Sequence, residues 1–352
     1  MKKALCLLLC LGLLPLSGCA GRVELALMVV CLGVDADENG VTLTVKAPDY
    51  SAAAQDQDAK KGYLTLSVTG ADWTDAAARL TADAPLPLRF GQLREVAVSL
   101  DSLQYLPLET LLSFADRLPN VRAHAQVFLC EGTARALVER QEPQVGKRLS
   151  KYLDLSMQHA AQQGDIPDTT LAQALRDLTG PWRDPLVAGV AAQAEGKGLL
   201  YRGGWAVGAG GTLLPLSARE VQLFRLATGK EQSLLFEYQG RHYAASLRGS
   251  AEKRVENANG REALTLRLSV TIFYSEYDAP PPPEAAGTLE NELLALLRRL
   301  QSAGCDALGF GCEAVRAYAT LDGWLASNWP ARYAAADVAV ELDARYRQQG
   351  IL

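Results

Sequence analysis

The chain is poor in the groups on which most enzymes build their chemistry. Of 352 residues only three are histidine, His124, His159 and His242, and none has a second histidine or a carboxylate at metal-ligand spacing. No serine stands in G-x-S-x-G, so a His-dependent nucleophilic triad has no elbow to sit on. No CxxC remains once the first 18 residues are set aside, which removes the redox motif and the zinc knuckle. Acidic residues outnumber basic ones 40 to 35, arguing against a nucleic-acid partner and against a basic surface pressed onto anionic lipid. Past residue 16 no apolar run approaches the roughly 20 residues of a membrane span. Residues 23–34 are apolar except for Glu24, and their length and β-branched content fit a buried strand. Carboxylates are abundant enough that counting does not remove a paired-carboxylate hydrolase, but nothing points to one. No enzyme activity, cofactor or metal is expected.

What the chain does have stands at its beginning. Lys2 and Lys3 precede an apolar stretch over 4–16, and Leu16-Ser17-Gly18-Cys19 follows. That is the anatomy of a secretory signal peptide, too short to span a bilayer as a stable helix. A cysteine directly after Leu-Ser-Gly matches the lipobox of bacterial lipoproteins. Cleavage between Gly18 and Cys19 would leave Cys19 as the first mature residue, with a diacylglyceryl group on its thiol. Two acyl chains hold a protein where one does not, at about 0.8 kcal/mol per buried CH₂. Losing Lys2 and Lys3 moves the formal charge from −5 to −7.

The remaining length and its 49% hydrophobic content suit a folded body of two or three domains. Alternation over 41–45, 64–68 and 121–129 predicts strands, 93–100 is strand-like as well, and helical spacing over 72–82 and 108–118 predicts helices. The mixture lacks a regular βαβ repeat, so the expected class is α+β, multidomain, with mixed or antiparallel sheets and no Rossmann or barrel pattern. The expected division is a signal peptide over 1–18, an N-terminal α+β domain over 19–139, a connector or small middle domain over 140–198 where the pattern thins, and a C-terminal α+β domain over 199–352. Within the last, Asn259-Gly260 between two strand patterns predicts a hairpin, Pro280 to Pro283 breaks the chain, and Leu289, Leu293, Leu296, Leu297 and Leu300 share one helix face.

Three clusters invite a ligand. Asp35, Asp37, Asn39 and Gly40 begin like a calcium loop, but Lys46 stands where the bidentate acid belongs, so a tight turn between strands is the better reading. Gly203-Gly204 with Gly208, Gly210 and Gly211 lacks the spacing and the following helix of a phosphate loop, so it reads as a strand and a glycine turn. Cys305 and Cys312 lie close enough to pair outside the cytoplasm, but spacing leaves that open. Trp182, Trp205 and Trp329 are either partner anchors or core.

Several stretches follow one another in a telling order: Glu24-Leu25 and Gly33-Val34-Asp35 after the lipobox, Arg89-Phe90-Gly91-Gln92-Leu93-Arg94, Arg117-Leu118-Pro119-Asn120, the leucine-rich helix, Asp306 with Gly309-Phe310-Gly311, then Trp324, Trp329 and Gly350. Together they resemble the Ger(x)C family, the lipoprotein C subunits of spore nutrient-germinant receptors. Ala20-Gly21 departs from the family's Trp-Asp, and Gln92 from its usual His. The resemblance implies several α+β domains of unusual topology and a non-enzymatic protein on the outer face of a spore's inner membrane. It would be anchored to the lipid bilayer through Cys19 and work beside two integral-membrane germinant-receptor subunits. A rigid lipid-held scaffold is the role expected. The alternative is an extracytoplasmic solute-binding lipoprotein, with a ligand cleft between two similar lobes.

Overall fold

Alternating burial along the strands builds two large sheets beside a small two-stranded one, and the helices cover what the large sheets cannot bury against each other. The computed structural model describes residues 25–49, 62–146, 148–193, 198–230, 233–258, 261–275 and 280–349. Its first part contains β1 (Leu27–Met28), β2 (Cys31–Asp37), β3 (Gly40–Pro48), β4 (Tyr63–Gly70), α1 (Trp73–Asp83), β5 (Leu88–Arg89), β6 (Glu95–Ser99), α2 (Leu108–Asp116), β7 (Gln126–Cys130), α3 (Ala134–Arg140), α4 (Leu149–Gln162), α5 (Leu171–Thr179), β8 (Leu186–Ala192), β9 (Leu199–Val207) and β10 (Leu213–Leu216). Eight of these strands form one sheet in the order β10-β9-β8-β7-β6-β2-β3-β4. The four central strands, β8, β7, β6 and β2, run parallel, and antiparallel hairpins extend both ends.

Side chains alternate across this sheet, so it needs cover on both faces. Leu32, Val34, Leu43, Val96, Val98 and Leu129 turn toward α1, α2 and α5. Cys31, Ala97, Phe128, Cys130, Ala188 and Val190 turn toward α3 and α4. Each fully buried leucine or phenylalanine contributes about 1.5–3 kcal/mol. The stretch over 140–198 therefore supplies two covering helices and one strand of this sheet. The sheet also runs on past residue 199 through β9 and β10.

The seven residues of α3 are fastened at both ends by β-strand side chains. Asp35 accepts the N–H groups of Ala134 (2.7 Å) and Arg135 (2.9 Å), an acid where the helix end is positive. At the other end the Lys46 ammonium donates to the carbonyls of Val138 and Glu139 (both 3.0 Å) and Gln141. Gly33 makes the approach possible: a Cβ there would lie 3.0 Å from the Ala134 carbonyl oxygen. The turn read from Asp37 to Gly40 is the β2–β3 hairpin, with Asn39 N–H donating to Asp37 and Gly40 at φ 125°. Gly203, at φ 67°, sits where the β8–β9 register shifts, so the glycine pair belongs to a strand irregularity.

The second part comprises α6 (Ala218–Ala227), β11 (Ser233–Tyr238), β12 (Arg241–Leu247), β13 (Glu252–Ala258), β14 (Arg261–Ser275), α7 (Pro283–Ser302), α8 (Gly311–Ala314), α9 (Leu321–Ala326), α10 (Trp329–Ala334) and β15 (Asp337–Gln349). β12 and β13 follow each other along one edge of β14, and β15 runs parallel along the other. The inner face, Leu264, Leu266, Leu268, Val270 and Ile272, packs on the leucine face of α7. Proline at the first helical position of α7 is in its preferred place. β13 and β14 pair antiparallel on either side of Asn259-Gly260, which itself lies outside the described residues. Leu186, Ala206 and Leu216 of the first sheet enter the second core, joining the two parts. The class is α+β with mixed and antiparallel sheets, and no described helix is long and apolar enough to cross a membrane.

Candidate functional site

Residues 180–185, between α5 and β8, are tied to the C-terminal part by hydrogen bonds in both directions. The Trp324 indole N–H donates to the Pro181 carbonyl (3.0 Å), the Asp306 N–H to the Asp184 carboxylate (2.6 Å) and the Asp184 N–H to the Asp306 carbonyl (3.3 Å). At the centre lies the Asp306 side chain, in a residue only 3% exposed. One of its oxygens accepts the N–H groups of Gly309 (3.0 Å) and Phe310 (2.9 Å). The other accepts those of Gly311 (2.6 Å) and the Trp329 indole (3.0 Å). Four donors fill the four acceptor positions of a carboxylate. Gly309 has φ 79°, and a Cβ on Gly311 would lie 2.4 Å from the Trp182 carbonyl oxygen. Only glycine lets the turn close at that distance.

The rings of Tyr318, Trp324, Trp329 and Tyr333 pack in series, the first pair edge to face and the others tilted, with successive centroids 5.4, 5.5 and 6.0 Å apart. Trp329 is buried and Trp182 is 37% exposed, so these two tryptophans divide between core and surface. Beside these rings opens a cleft of about 710 Å³, walled by Leu103, Leu106, Leu178 and Leu213 from the first part and by Trp324 and Tyr333 from the second. Asp177, Arg183 and Asp184 stand at its lip, and Arg183 pairs with Asp177 at 3.1 Å.

Burial pushes the Asp306 carboxyl up to about 7 against the pull of its N–H donors, and the neighbouring Asp184 up to about 6. The Tyr333 phenol is held above its ordinary value by burial and these carboxylates, so it stays a neutral donor, and its oxygen has no hydrogen-bond partner among the described residues. Cys305 and Cys312 are free thiols in this structure. Cys305 lies beside Asp184, and the Cys312 thiol faces the Trp182 carbonyl at 3.7 Å. The three histidines are exposed and scattered. Among the described residues no three histidine, cysteine or acidic side chains gather as metal ligands would. Gly18 and Cys19 lie outside the described residues.

The family described as spore germination protein N-terminal domain matches residues 22–192. That span ends at the close of β8. The crystal structure of the GerBC protein superposes with a TM-score of 0.55 over 90% of this chain and 96% of that one, at 13% identity. Residues 22–192 therefore belong to that spore germination family. The GerBC likeness, at that identity, extends the shared fold across both sheets. No curated protein matches this chain in sequence.

The family-like motifs now have physical meanings. Gly33 and Asp35 seat and cap α3, while Asp306, Gly309, Gly311, Trp324 and Trp329 assemble one buried knot. Sequence reasoning missed Asp184 and Tyr333. Asp184 meets Asp306 across 122 residues, and no local pattern marks such a pair.

Proposed function

We propose that this chain is a Ger(x)C protein, the membrane-anchored, non-enzymatic lipoprotein subunit of a spore nutrient germinant receptor, scaffolding integral-membrane partners on the extracytoplasmic face. The observation carrying this reading is the Asp306 knot. Its carboxylate, which a hydrolase would keep free, is fully committed to the chain's own N–H groups, and the knot ties the two sheets into one body. From Cys19 to β1 at Leu27, an extended tether reaches roughly 25–30 Å at about 3.3–3.6 Å per residue. A body held that close to the bilayer searches a thin layer for its partners, which raises effective concentration as a short linker does. Replacing Cys19 with Ala should release the protein from spore membranes and impair the nutrient response while leaving the fold intact. Unchanged retention and germination would reject the reading.

The solute-binding alternative has one supporting observation, the cleft itself, of about 710 Å³. Thermal stabilisation of the purified protein by a nutrient amino acid or sugar would favour it. The two parts flanking the cleft are dissimilar in topology, unlike the matched lobes which that alternative expects.

A further inference from the structure

The net charge is acidic, yet cations collect at one place, where the chain enters the fold. Two adjoining grooves of about 600 and 470 Å³ meet at Arg94, Lys151 and Asp154. Arg94 is tied to Asp154 at 3.2 Å. Arg122, Arg148 and Lys151 form no ion pair within 4 Å among the described residues. The remaining acids of the grooves are Asp49 and Asp168, and Asp168 is engaged by Lys230 at 2.8 Å and faces Arg225. The N-terminus of the 14-residue helix α4 opens here too: Arg148 at its start makes no capping bond, the Leu149 N–H donates to the Tyr63 hydroxyl (2.6 Å), and the positive end of the helix adds its potential to that of the side chains. Leu155, 52% exposed, lies on the same helix one turn beyond Lys151. An exposed leucine among cations is the composition of an element lying in a membrane interface.

Where the chain leaves the described body fixes what such a surface faces. Met28 and Val30 line the first groove, three and five residues after Leu25, itself 59% exposed. Cys19 is only nine residues before Met28, so the grooves lie within roughly 30 Å of the anchor. We propose that this basic surface, centred on Arg122, Arg148 and Lys151, seats the anionic phospholipid headgroups of the bilayer to which the chain is tethered, fixing the orientation of the body on the membrane. This inference rests on the reading of Cys19 as the anchor. It also departs from what net charge alone suggests, because a surface potential decays within about 10 Å and is set locally.

The test uses the unacylated chain from Ala20 to Leu352, which contains every described residue, in sedimentation with vesicles of phosphatidylcholine alone or mixed equally with phosphatidylglycerol. The protein should sediment only with the anionic vesicles and should be released by salt. Arg122→Gln/Arg148→Gln/Lys151→Gln should weaken binding roughly fivefold per charge removed, about a hundredfold in all. Arg254→Gln/Arg345→Gln/Arg347→Gln, exposed residues of the C-terminal sheet with the same loss of charge, should leave binding unchanged. Should the first triple variant unfold, the exposed single change Lys151→Gln supplies the measurement, at about fivefold. Equal binding to both vesicle types, no binding to either, or equal losses in the two triple variants would overturn the proposal. So would full displacement by inorganic phosphate at the lipid-phosphate concentration, which marks a free-anion site instead. Because these proteins carry no acyl chain, the outcome is independent of Cys19, whose modification is read separately by mass spectrometry of the natural protein.

Discussion

Each half of the molecule buries one charge against its own backbone, and the two charges have opposite signs. In the N-terminal half Lys46 gathers three carbonyls at the end of α3. In the C-terminal half Asp306 gathers three backbone N–H groups and an indole N–H. Their neighbours differ. Lys46 lies in the field of buried Glu95, an opposite charge, whereas Asp306 lies beside Asp184, a like charge. What each leaves behind differs too. A helix carbonyl has two lone pairs and tolerates losing one partner, while a buried N–H has a single bond to make. The C-terminal charge should therefore be the more costly to remove.

Asp306→Ala is expected to have the largest effect, on the order of 4–5 kcal/mol, because it strands four buried donors at the point joining the two sheets. Urea unfolding followed by tryptophan fluorescence is the measurement, and splitting into two transitions would show that the halves had uncoupled. A loss under about 1 kcal/mol would mean that the knot is ornamental to the fold. Lys46→Met should cost less, about 2 kcal/mol, since the stranded carbonyls keep a lone pair and a buried cation is removed at the same time. Equal losses in the two variants would erase the asymmetry between the halves.

The same contrast shows how far the residues could be read in advance. The alternation over 41–45 and 64–68 falls within β3 and β4, and the leucine face of α7 packs as its spacing implies. Parallel pairing of the central strands was not legible. β6 is five residues long and buried on both faces, so it carries no alternation from which to infer direction. α4 escaped notice because its buried stripe, Leu149, Leu153, Met157 and Ala160, is thin and interspersed with glutamine. The alternation over 121–129 overreached, since only Gln126–Cys130 is strand. Lys46 was noticed only for spoiling a calcium loop. Its partners lie 92 to 95 residues away, and such a cap is invisible until the helix has been placed.

The smallest effect tests the other side of the comparison, the pairing of Lys46 with an opposite charge. Glu95 is fully buried, and neither of its oxygens has a hydrogen-bond partner among the described residues. Burial pushes its carboxyl from an ordinary 4.5 up to about 7, with Gln141, Cys31 and Lys46 pulling it back. A carboxyl raised on folding binds more protons in the native state, so its contribution to stability is present below about 4.5 and is lost as pH rises toward 7. Glu95→Gln keeps the shape and removes the titration. The variant should gain on the parent as pH rises through that window, by about 1–3 kcal/mol between about pH 4 and pH 8 in paired urea titrations. Asp184 and Asp306 titrate in the same sense but are present in both proteins, so they cancel in the difference. A difference curve flat across that range would mean that Glu95 stays ionised inside the fold. Lys46 would then be half of a true buried ion pair, and the N-terminal charge would be held by its counter-ion, with the helix carbonyls secondary.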